Sequence, residues 1–68
     1  MDREQRLEAF EVMLREIQRD CQAAGTRMGE LKAQGKERSA TYRQLMGNKL
    51  TYQNMLALYR AHGLLEGE

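Results

Sequence analysis

Leu7, Phe10, Leu14, Ile17, Cys21, Ala24, Met28 and Leu31 follow one another at alternating steps of three and four residues. An α-helix turns once in about 3.6 residues, so this spacing lines all eight side chains along one narrow stripe, whereas a strand would scatter them over both faces. The stripe reads as a coiled-coil seam. With Leu7 at an a position, the a set is Leu7, Leu14, Cys21 and Met28, and the d set is Phe10, Ile17, Ala24 and Leu31. All of these residues are apolar or small, so the helix that carries them is expected to lie against another helix.

That first helix is expected over about residues 3–34. Asp2 can cap its N-terminus, and Glu4 sits in the first turn beside the positive end of the helix dipole. Gly25 and Gly29 interrupt the good helix formers, each costing on the order of 1 kcal/mol relative to alanine. Two readings stay open: a continuous helix, or a helix that ends near Ala24 with a short one starting near Thr26. The unbroken phase through Met28 and Leu31 favours the continuous form. Gly35-Lys36-Glu37-Arg38 reads as the connection, with Ser39 as the next N-cap and a second helix over about residues 40–62. Gly63 suits the left-handed position after its end, where Leu64 can fold back on Tyr59 and His62 meets the negative dipole end.

The second helix repeats the spacing with Tyr42, Leu45, Lys49, Tyr52, Leu56 and Tyr59. Folding back at 35–38 sets Leu31 against Tyr42, Met28 against Leu45, Cys21 against Tyr52, Ile17 against Leu56 and Leu14 against Tyr59. Phe10 and Leu7 are then expected to reach the Leu64–Leu65 tail, and Ala24 falls opposite Lys49, whose long side chain must slip past toward water. The fold expected for residues 1–68 is one all-α domain, an antiparallel two-helix hairpin of coiled-coil type.

Such a hairpin leaves apolar residues over. Met46, Leu50, Met55 and Leu58 lie outside the second seam, as do Val12 and Met13 outside the first. Two explanations stand: a homodimer in which two hairpins form a four-helix bundle, and a docking surface on which methionine supplies an adaptable contact for a different protein. A chain of 68 residues builds only a modest core, and with one cysteine it has no internal disulfide, which also points to association. Gly47, inside the second helix, is expected to be a close-contact point.

Little in the chain suggests chemistry. Cys21 occupies a seam position and reads as a small buried hydrophobe; His62 reads as a helix-end residue; the three tyrosines recur on the seam. Cys21 and His62 are too isolated to form a zinc site, and no phosphate-binding glycine loop, paired-carboxylate site or nucleophile elbow occurs, so neither catalysis nor a cofactor is expected. No apolar run approaches the roughly 18–20 residues of a membrane span, the charged N-terminus has no signal-peptide core, and a reduced thiol fits the cytoplasm. The formal net charge is +1, which gives the whole molecule no strong demand for nucleic acid or acidic lipid. Local charge is less even. Arg27, Lys32, Lys36, Arg38, Arg43 and Lys49 outnumber Glu30 and Glu37 around the bend, while Asp2, Glu4, Glu66 and Glu68 mark the other end as acidic. A solvated charged face explains the basic residues; contact with phosphates, in a small dimeric RNA or DNA binder, is the sharper alternative.

Overall fold

The computed structural model describes residues 1–65 and consists of α1 (Arg3–Ala33) and α2 (Ala40–Ala61), packed against each other in an all-helical hairpin. Asp2 caps α1 in an extended conformation. Its carboxylate accepts the Gln5 N–H at 2.8 Å, and its own N–H donates to Gln5 Oε1 at 3.0 Å. This reciprocal box satisfies two of the backbone donors that a helix start leaves free.

α1 runs through Gly25 and Gly29 without a break. Stopping at Ala24 would spare about 2 kcal/mol of glycine cost but forfeit the burial of Leu31, alone worth about 1.5–3 kcal/mol, together with that of the half-buried Met28. Continuation wins. Both helices then end in the same six-residue turn. The Gly35 N–H donates to the Lys32 carbonyl at 3.0 Å and the Lys36 N–H to Leu31 at 2.8 Å; Gly63 donates to Arg60 at 3.0 Å and Leu64 to Tyr59 at 2.9 Å. Gly35 and Gly63 take φ values of 73° and 72°, the left-handed conformation this turn requires. Ser39 closes the bend: its hydroxyl donates to the Lys36 carbonyl at 2.8 Å and accepts the Tyr42 N–H at 3.1 Å, which starts α2.

Ile17, Ala24 and Leu31 of α1 and Leu56 of α2 are buried. Leu14, Cys21, Met28, Tyr42, Leu45, Lys49, Tyr52 and Tyr59 are half-buried along the same line. One edge of the hairpin brings Asp20, Ala24 and Arg27 beside Leu45, Asn48 and Tyr52, and the other brings Gln18, Cys21 and Gly25 beside Lys49 and Leu56. This is the register set by folding back at the bend. Lys49 crosses at Gly25: a Cβ on that glycine would lie 3.5 Å from Lys49 Nζ and 3.7 Å from Cε. These are ordinary van der Waals distances, so the lysine stem leaves the seam alongside this glycine.

Leu7 and Phe10 do not meet the tail. They are 57 % and 49 % exposed, and Leu64 is 64 % exposed. α1 is about 46 Å long and α2 about 33 Å at 1.5 Å per residue, so the first turns of α1 project beyond the end of its partner. The left-handed Gly63 reverses the chain, and Leu65 comes back beside Cys21, Leu56 and Arg60 instead of continuing along α1. The Arg6 guanidinium, 5.8 Å from the Phe10 ring centroid, partly covers that ring. Glu66 and Glu68, expected at the acidic end, lie outside the described residues. The hairpin measures 48 × 25 × 14 Å, a single layer of two helices with no enclosed interior.

Candidate functional site

The leftover apolar residues fall on two separate edges. Met46 and Met55 stand nine residues apart, about two and a half turns, so they project to opposite sides of α2. Met55, Leu58, Tyr59, His62 and Leu64 line an open notch at the end of α2. Val12 and Met13 line a second depression with Gln5, Glu8, Ala9 and Glu16. Steps of three and four carry that stripe from Glu16 to Asp20, Ala23 and Arg27, which share a depression with Asn48 and Tyr52. Val12, Met13, Met55 and Leu58 therefore lie toward one edge. Met46 and Leu50 lie toward the other, on the side of Lys49. Leu58 is 64 % exposed and Leu50 55 % exposed; Val12, Met13 and Met46 are exposed as well, whereas Met55 is half-buried. The sequence pattern identified the six residues as lying outside the seams, but not which edge each one joins.

The second edge holds a shallow polar groove lined by Gln18, Cys21, Gln22, Gly25, Thr26, Lys49, Leu56, Arg60 and Leu65. Arg60 was not singled out from the sequence. Its spacing of eleven residues from Lys49, about three turns, is the signal that places both cations on one side. Lys49 itself is half-buried in mid-hairpin, about 14 Å along α2 from Ala40, and so stands apart from the bend. The other expected cations are exposed: Lys32, Lys36, Arg38 and Arg43 on the bend and the helix turns next to it, and Arg27 further along α1 beside Asn48 and Tyr52.

Cys21 is half-buried and borders the polar groove, a more open setting than a fully buried seam position. His62 caps the end of α2, its backbone N–H bonded to the Leu58 carbonyl at 3.2 Å, and its side chain borders the apolar notch. Gly47 is not a contact point within the hairpin: among the described residues nothing lies within 4 Å of where its Cβ would stand. Its carbonyl accepts the Thr51 hydroxyl at 3.0 Å. Among the described residues, no group of three or more His, Cys, Asp or Glu is placed to hold a metal ion, and no helix is long and apolar enough to cross a membrane.

These features define an antiparallel helical hairpin with an apolar edge, a cationic edge and a basic bend. Comparison with known protein families, curated proteins and solved structures finds no match to the chain.

Proposed function

We propose that this chain is a non-enzymatic interaction module that self-associates, two hairpins pairing into a four-helix bundle, and presents its remaining apolar surface to a protein partner in the cytoplasm. The observation that carries the reading is the set of large apolar side chains, from Leu7 to Leu64, that stand exposed on the single hairpin. A helix apolar on several sides is covered in its working state. Sedimentation equilibrium from micromolar to near-millimolar protein tests self-association: a dimer has twice the chain mass of 7.9 kDa. A folded monomer at every concentration would remove that half of the proposal. For the docking half, Leu50→Glu should reduce partner recovery in a pull-down; unchanged recovery would remove it.

A second reading draws on the exposed cations of the bend, Lys32, Lys36, Arg38 and Arg43, with Arg27 further along α1. It makes the protein a small RNA or DNA binder that holds phosphates through Arg27, Lys32, Lys36, Arg38 and Arg43. Binding must then fall steeply with added salt and vanish in Lys36→Glu/Arg38→Glu. No change in fluorescence anisotropy of a labelled oligonucleotide at low salt would dismiss it.

A further inference from the structure

We infer that the surface through which two copies associate is the open end of the hairpin: the projecting turns of α1 from one copy seat in the notch of Met55, Leu58 and Leu64 on the other, and reciprocally. This rests on the self-association proposed above and limits the four-helix region that the two copies share to their open ends. The seam of α1 keeps its phase through Leu7 and Phe10, beyond the point where α2 ends, and both residues are about half exposed. A phenylalanine at a seam position calls for a helix opposite it, and no described residue of the hairpin buries it. Among the described residues the notch is lined by Met55, Leu58, Tyr59, His62 and Leu64, with no acidic residue, Lys or Arg. Projection and notch lie at the same end of the molecule, so one two-fold axis satisfies both at once and closes the assembly at two copies.

Area favours a second copy as the occupant. A compact monomer of 7.9 kDa exposes roughly 4,400 Å², whereas the hairpin exposes 5674 Å². The surplus, on the order of 1,000 Å², matches the roughly 800 Å² per partner that a stable interface covers. The second edge is less suited to self-pairing, because Lys49 and Arg60 line its groove and would face their own copies.

Sedimentation equilibrium on the full chain and four variants tests this. Phe10→Glu and Leu58→Glu should each raise the dimer dissociation constant at least tenfold, while Met46→Glu and Leu50→Glu on the other edge should leave it within about twofold. Phe10 and Leu58 are exposed on the single hairpin, and circular dichroism checks that their variants stay helical. Cross-linking gives a reading independent of any lost stability: in a Cys21→Ser background, oxidising a mixture of Phe10→Cys and Leu58→Cys chains should yield a disulfide-linked pair, and a mixture with Leu50→Cys should not. A dimer insensitive to both open-end substitutions, or equal cross-linking in the two mixtures, overturns this interface and leaves self-association standing. A wild-type chain that is monomeric throughout overturns both.

Discussion

Four glycines receive the same substitution, and the structure assigns them different outcomes. Gly29 and Gly47 sit inside helices with nothing within 4 Å of an added Cβ. Alanine at either site should gain the full helix-propensity difference, about 0.8–1 kcal/mol. The two sites are on different helices and share no contact within 4 Å, so the double variant should gain about 2 kcal/mol and raise the thermal midpoint by about 8–16 °C in a domain of this size. Gly25→Ala should gain about as much, because its Cβ would meet Lys49 Nζ at 3.5 Å and Cε at 3.7 Å, ordinary van der Waals contact that leaves the lysine in place. Gly35→Ala should lose about 1–2 kcal/mol, since the helix end holds φ at 73°. Thermal melts followed by circular dichroism at one fixed protein concentration read all four. A lower midpoint for Gly47→Ala would refute the reasoning: it would mean that something packs on that face in solution. Gly47→Leu distinguishes the cases further, because on an open face it is tolerated and under a partner it is not.

Other expectations follow from the seam and its caps. Leu56→Ala removes most of the one buried side chain that α2 contributes and should destabilise by about 2–5 kcal/mol, a large share of what so small a domain has, so urea titration should find it largely unfolded at low denaturant. A midpoint within a few tenths molar of wild type would mean that the two helices do not pack along the observed line. Ser39→Ala deletes the acceptor for the Tyr42 N–H and should cost about 1 kcal/mol, while Ser39→Asp should retain most of the stability; equal losses from both would show that the cap is not formed.

The architecture was legible because it is written in local periodicity. Alternating steps of three and four from Leu7 to Leu31 and again from Tyr42 to Tyr59 specify two helices and their facing sides. Gly35 and Gly63 specify where each helix stops, since the left-handed turn excludes other residues at low cost. Asp2 and Ser39 mark the starts through hydrogen bonds to backbone only three residues away. Gly47 makes no close contact within the hairpin, for the converse reason. A glycine's neighbours in space are not encoded in its neighbours along the chain, and on the single hairpin the face it occupies is open.

The candidate surfaces were legible as residues but not as places. Met46, Leu50, Met55 and Leu58 stand out in any reading of the second seam, yet which edge each joins depends on how the two helices are placed side by side. The cationic groove arises only when α1 brings Gln18, Cys21 and Gln22 beside Lys49 and Arg60. The unequal helix lengths were present in the sequence, but the fate of Leu7 and Phe10 turned on the path taken after Gly63. The sequence by itself determined the helices, their caps and the register, because these follow from short-range geometry and from a stripe that must leave water. The tertiary structure alone decided which apolar residues remain uncovered, because exposure is a property of what lies opposite a side chain, and here the shorter helix ends before the longer one does.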